Sequence, residues 1–226
     1  MNQEKGTETG KMQIWDERYG SGEYVYGREP NEFLVAMASL IPRGRVLSLA
    51  EGQGRNGVYL AGLGYAVTAV DSSAVGLRMA RELAVERGVP LETIVADLAD
   101  YDPGEACWEG IVSIFCHLPS ALRRSVLAKM VRALVPGGVL LLEAYTPAQL
   151  QFDTGGPRDP DLLASLADLR EDLAELTLIH ACEGERLVIE GTLHRGRAVV
   201  VQVVAVKSDP DDDEELTATG LTGELD

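Results

Sequence analysis

The sequence predicts a single α/β domain built on a mostly parallel sheet. Three observations carry this. Short apolar, β-branched runs alternate with amphipathic segments at intervals that leave room for a helix between successive strands. A glycine turn, LAEGQGRN, follows the first such run directly. The last two apolar runs are separated by turn material only, with no room for a long helix, so the final pairing is expected to be antiparallel.

The elements follow in order. Residues 31–41 predict a lead-in helix, with Pro30 near its start and Pro42, Arg43 and Gly44 ending it. Residues 46–50, 66–70, 93–96, 110–115 and 139–144 predict strands. Between them, 55–63, 74–88 and 120–134 predict helices, and 159–173 predicts one more. Residues 176–182 and 198–206 are strand-like, with Glu183-Gly184, Gly191 and Arg195-Gly196 as the turn material between them. The tight Pro136-Gly137-Gly138 turn and the antiparallel end fit a seven-stranded Rossmann-like sheet with helices on both faces. The domain is read as residues 12–207, with a lid at 12–41, a disordered start at 1–11 and a disordered acidic tail at 208–226.

Composition narrows the function. The formal net charge is −16, and the last 19 residues contribute eight acids and no Lys or Arg. The rest of the chain is still acidic, so a nucleic acid or an anionic membrane is disfavoured as a partner. No run of 18 apolar residues and no apolar leader segment is visible. Three cysteines without a C-x-x-C pair suit a reducing cytoplasm. Three histidines show no metal-ligand spacing, so no metal is expected.

The glycine turn decides among ligands. Gly52, Gly54 and Gly57 satisfy G-x-G-x-x-G, a pattern also found in dinucleotide-binding loops. Yet Glu51 stands directly before the first glycine, where a pyrophosphate would approach. A carboxylate there favours a cationic ligand over a diphosphate. S-adenosylmethionine (SAM) carries a sulfonium and an ammonium and no phosphate. Asp71 follows the second strand at the right distance for a ribose diol, and Asp97 follows the third, where an acceptor would meet the adenine amino group.

With these residues in view, the chain resembles the class I SAM-dependent methyltransferases from Trp15 to about Lys207. It looks most like the small bacterial tellurite-resistance (TehB-like) and thiopurine methyltransferases. The segments WDERYGSGEYVYGREPN, LAEGQGRN, VDSSAVGL and IVSIFCHLP carry the resemblance. The family's first motif has Asp-x-Gly-Cys-Gly where this chain has Ser48-Leu49-Ala50-Glu51-Gly52, so Ser48 replaces the usual acid. The resemblance implies SAM as cofactor, S-adenosylhomocysteine (SAH) as product and a small-molecule methyl acceptor, a thiol or other chalcogen nucleophile.

The candidate cofactor-binding residues are Glu51, Gly52, Gly54, Arg55, Asn56, Asp71, Ser72, Asp97, Leu98 and Phe115, with Arg18 and Tyr26 from the lead-in. Arg18 is a candidate partner for the methionyl carboxylate. His117, directly after the fourth strand, is the candidate general base. Trp15, Tyr19, Cys116, Glu143 and Tyr145 are candidates for lining the acceptor site. The loop FDTGGPRD is either a substrate gate or a connector. Two other functions fit the same glycine turn: an NAD(P)-dependent oxidoreductase, and a non-catalytic SAM-binding or interaction protein.

Overall fold

In the computed structural model, which describes residues 8–192 and 194–209, seven strands form one sheet. They are β1 (Arg45–Leu49), β2 (Ala66–Asp71), β3 (Glu92–Val95), β4 (Trp108–Ile114), β5 (Leu134–Tyr145), β6 (Thr177–Glu190) and β7 (His194–Val206). The spatial order is β3-β2-β1-β4-β5-β7-β6. The pairs β1–β2, β2–β3, β1–β4 and β4–β5 are parallel, and β7 runs antiparallel to both β5 and β6. The order reverses between β1 and β4. A switch point of this kind opens a crevice beyond the strands' carboxyl ends, where ligands bind in such sheets.

The helices are α1 (Glu8–Tyr19), α2 (Glu32–Met37), α3 (Arg55–Gly62), α4 (Ala74–Arg87), α5 (Ser120–Ala133) and α6 (Leu166–Asp172). Strand alternation sorts them onto two faces. Val46, Val67, Val112 and Leu141 pack with Leu34 of α2 and Leu60 of α3. Leu47, Ile111, Leu140 and Leu142 pack with Val126 and Met130 of α5 and Leu169 of α6. Helix α4 joins α3 through Val58, Leu83 and Ala84, and α1 lies against α4.

Four expectations are corrected. The helix expected over 159–173 breaks into a short 3₁₀ turn, Pro160–Leu162, and α6. Ser165 starts α6 with a reciprocal capping box to Asp168, which ends the preceding chain direction. The lead-in helix stops at Met37 and tightens into a 3₁₀ turn, Ala38–Leu40. The start read as disordered contains the first residues of α1, which begins at Glu8. The turn material of the last pair is mostly strand: Gly184 pairs with Val200 and Val188 with Gly196, leaving a tight turn after Glu190. The acidic tail falls almost wholly outside the described residues.

Candidate active site

The glycine loop takes its shape from its backbone. Gly52 has φ 61° and Gly54 φ 95°, and a Cβ at Gly54 would come within 2.6 Å of Ala80 Cα. Only glycine accommodates both the left-handed turn and the close approach of α4. Ala50 (φ 48°) and Phe115 (φ 53°) also adopt the left-handed region, at the carboxyl ends of β1 and β4. Strained non-glycine residues cluster at functional sites, and these two flank the switch point.

Glu51 answers the question raised by its position. Its Oε1 accepts from the N–H groups of Gly57 (2.8 Å) and Asn56 (3.1 Å), in the first turn of α3. Ser48 Oγ donates to the other oxygen. The amino-terminal pole of α3 is therefore filled by the chain's own carboxylate, where a phosphate would otherwise dock. Gly54 precedes the helix and offers no side-chain cap, so Glu51 does that work. The serine in place of the family's usual acid is the donor that Glu51 needs. Burial raises the Glu51 carboxyl pKa, and these hydrogen bonds partly oppose the rise.

Asp71 ends β2 facing the same loop. One oxygen accepts from Gly52 N (2.8 Å) and the other from Ser73 N (2.7 Å). Its pKa is raised, first by burial, with the backbone donors opposing. Ser73, rather than the half-buried Ser72, caps α4 by accepting from Gly76 N (3.0 Å). Asp97 lies just past β3, where its side chain accepts from Ala99 N (2.8 Å), and Leu98 turns into the core.

The lid meets this loop directly. Tyr19 is buried, and its hydroxyl lies 2.7 Å from where a Gly52 Cβ would stand. Sequence reading had set Tyr19 beside the acceptor; it packs on the glycine loop, and its ring also abuts Gly76. Trp15 stacks on Tyr19 at 5.8 Å, Arg18 lies over the Trp15 ring, and Arg18 Nη1 donates to the Tyr26 hydroxyl (2.9 Å). Two residues missed by sequence reading fasten the lid. Asp16 accepts from Ser73 Oγ (2.5 Å), and Gln53 accepts from Val25 N (3.0 Å) while donating to Glu23 O (2.7 Å). Gln53 stands between two loop glycines, where only its contacts reveal a role.

At the ends of β4 and β5, Phe115, Tyr145 and His117 form a ring stack. Tyr145 lies 4.6 Å from Phe115 and 5.5 Å from His117, the latter pair nearly parallel at 8°. His117 Nδ1 sits 3.2 Å from Leu162 O. A carbonyl only accepts, so in neutral His117 the proton is on Nδ1 and Nε2 is the acceptor. Burial pushes the Cys116 thiol up to about 12, which makes it a poor nucleophile.

Glu143 departs from its expected place lining the acceptor. It is fully buried and accepts from Arg186 Nε (2.7 Å), Asn31 Nδ2 (2.5 Å) and Gln202 Nε2 (2.7 Å). Glu190 adds bonds from Asn31 and Arg186 and an ion pair with Arg55 Nη2 (2.6 Å). Arg55 is buried, and its Nη1 has no hydrogen-bond partner among the described residues. Asn56 accepts from Asn31 N (3.0 Å), tying α3 to the lid at the start of α2. Sequence reading missed Asn31, Arg186 and Glu190, because their partners are more than a hundred residues away or on another strand.

The fold and this site define a class: residues 46–138 match the model of a methyltransferase domain. The chain carries a methyltransferase domain, and its fold is the one seen in TehB and other SAM-dependent methyltransferases. The donor set fits SAM, because the anion pole of α3 is already filled while a buried guanidinium donor remains at Arg55. Among named relatives, the chain is 26% identical over 168 residues to a 2-heptyl-1-hydroxyquinolin-4(1H)-one methyltransferase of Mycobacteroides abscessus, covering 73% of this chain and 72% of that protein. TehB of Haemophilus influenzae shares the fold at TM-score 0.66 and 23% identity, over 79% of this chain and 62% of that one. A Burkholderia thailandensis 1,6-didemethyltoxoflavin-N1-methyltransferase, solved with SAH, shares it at TM-score 0.63 and 21% identity, over 88% of each chain. Among the described residues no helix is long and apolar enough to cross a membrane.

Proposed function

We propose that the chain methylates a small molecule through a hydroxyl, thiol or other chalcogen nucleophile, with His117 as general base. The observation that carries this reading is the His117 ring, oriented by the Leu162 carbonyl, stacked with Tyr145 and tilted against Phe115 at the ends of β4 and β5. In that tautomer Nε2 is the lone pair that can accept the nucleophile's proton. The named relative, a 2-heptyl-1-hydroxyquinolin-4(1H)-one methyltransferase whose substrate carries a hydroxyl on a flat ring, supports such an acceptor.

SAM, when bound, supplies an electrophilic methyl on a sulfonium. The chain's own part is to hold and position. Asp71 would accept from the ribose diol, and Arg55 would meet the methionyl carboxylate in place of Arg18, whose guanidinium lies over Trp15 and donates to the Tyr26 hydroxyl. Asp97 would face the adenine amino group, and Gly52 and Gly54 would let the backbone approach. The lid residues Trp15, Tyr19 and Tyr26 would exclude water. His117 Nε2 would take the proton that the acceptor's nucleophilic atom gives up as it is methylated. Positioning then supplies most of the rate, since the methyl is activated before it meets the protein.

A methyl-release assay over a panel of aromatic thiols, hydroxyquinolines, selenite, tellurite and amines tests this. Turnover confined to chalcogen nucleophiles is expected. Transfer to amines alone would refute the acceptor class, and SAH binding without turnover of any acceptor would favour a non-catalytic SAM-binding protein.

A further inference from the structure

The β6–β7 hairpin reaches the glycine loop. Strand β6 is antiparallel to β7, which is antiparallel to β5, so β6 runs in the direction of β5. Glu190 ends β6 and therefore comes to the sheet edge that carries the loop. The lid ties it there. Thr192 donates its N–H to Val25 O (3.0 Å), and Val25 N–H donates to Gln53 of the loop (3.0 Å). A Cβ on Gly191 (φ 66°) would collide with Val25 O and Gly27 N, so the chain after Glu190 lies flush against the lid.

Glu190 divides its two carboxylate oxygens. Oε2 accepts from Arg55 Nη2 (2.6 Å). Oε1 accepts from Asn31 Nδ2 (2.9 Å) and Arg186 Nη2 (3.1 Å). The Arg55 and Glu190 side chains are each more than nine-tenths buried. A guanidinium is planar, so holding Nη2 fixes the direction in which Nη1 points. Nη1 is buried with no hydrogen-bond partner among the described residues, an orphan donor that a bound acceptor would satisfy. The formal charges around it balance, Arg55 and Arg186 against Glu143 and Glu190. A balanced cluster suits a ligand whose own charges cancel, as the ammonium and carboxylate of a methionyl group do.

We propose that Glu190 is a positioning residue of the cofactor site, orienting Arg55 so that Nη1 meets the methionyl carboxylate of SAM. The inference rests on the assignment of Arg55 to that carboxylate proposed above. It gives the β6–β7 hairpin a share in cofactor binding, although the matched methyltransferase domain ends at residue 138.

The test compares SAH with methylthioadenosine, which lacks the amino-acid end, by calorimetry on the full chain. Arg55→Gln should lower SAH affinity about tenfold or more, the scale of one charge-assisted hydrogen bond, and leave methylthioadenosine affinity unchanged. Glu190→Gln should do the same. An amide has one acceptor oxygen, so its nitrogen must face a donor either at Arg55 or at Asn31 and Arg186. Glu190→Asp, with both acceptors one methylene short, should fall between wild type and Glu190→Gln. The double variant Arg55→Gln, Glu190→Gln should bind SAH no more weakly than Arg55→Gln alone, because the second change acts only through Arg55. Charge alone predicts the reverse sign, since removing a carboxylate beside Arg55 would tighten its hold on an anion. Tighter SAH binding by Glu190→Gln, equal weakening of both ligands, an additive loss in the double variant, or failure of both Glu190 variants to fold overturns the proposal. The two readings separate. If Arg55→Gln lowers SAH affinity selectively and Glu190→Gln does not, only the positioning role falls. If Arg55→Gln spares SAH, the assignment of Arg55 falls and the role of Glu190 with it.

Discussion

Asp71 and His117 are expected to fail in different ways when removed. Asp71→Ala should weaken SAM binding roughly 10- to 150-fold, the effect of losing hydrogen bonds to a charged acceptor. His117→Ala should leave that affinity nearly intact and lower single-turnover transfer by up to about 10²-fold or more, with the deficit shrinking at high pH as the acceptor ionises unaided. If His117→Ala instead weakens SAM binding as much as Asp71→Ala does, His117 belongs to the cofactor pocket. Glu51 gives a stability prediction. Its folded pKa is raised by burial, so its contribution is fully present below the ordinary carboxylate pKa and is lost as pH rises through the folded value. Relative to Glu51→Gln, the wild type should therefore lose melting temperature as pH climbs from the carboxylate range toward neutrality. A flat difference across that range would show that the carboxyl is not desolvated as described. The acid before the glycines was legible in the sequence as a mark against a diphosphate. Its route was not: Glu51 acts by filling the pole of α3 and not by facing a cation, because two of its three donors are backbone N–H groups that any sequence would supply, the third being the Ser48 hydroxyl.

At the scale of elements, the β6–β7 hairpin matters more than its sequence suggested. It brings Arg186 and Glu190 to Glu143 of β5, Arg55 of α3 and Asn31 of the lid. Removing one member of a buried ion pair strands the other, at about 3–5 kcal/mol. Glu143→Ala should cost that much in urea denaturation, and a loss under about 1 kcal/mol would mean the cluster relaxes into water. The parallel strands and the helices between them were readable because each buries a periodic apolar pattern. The hairpin was read too short because glycines at 184 and 196 look like turns, yet they sit inside the ladder. The break at Ser165 was hidden for a similar reason: a capping box resembles ordinary helix-start chemistry within a longer helical pattern.

Over the whole molecule, the mostly parallel sheet and its antiparallel close followed from the spacing of apolar runs, whereas the strand order is seen only in the structure. The pairing of lid with loop did not, since it depends on side chains such as Gln53 and Asp16 meeting across the crevice. The domain end is proposed at Lys207, whose N–H and ammonium hold Gly138 O and Leu134 O. Truncation after Ser208 should leave cooperative unfolding and SAM affinity intact, as read by thermal melts and calorimetry. The central claim is that a glycine loop whose helix pole is filled by Glu51 takes SAM and not a dinucleotide. The most direct measurement is thermal stabilisation by SAH and by NADH, side by side. SAH at 100 times its Kd should add about 2.7 kcal/mol and NADH nothing measurable; stabilisation by NADH equal to or greater than that by SAH would contradict the account.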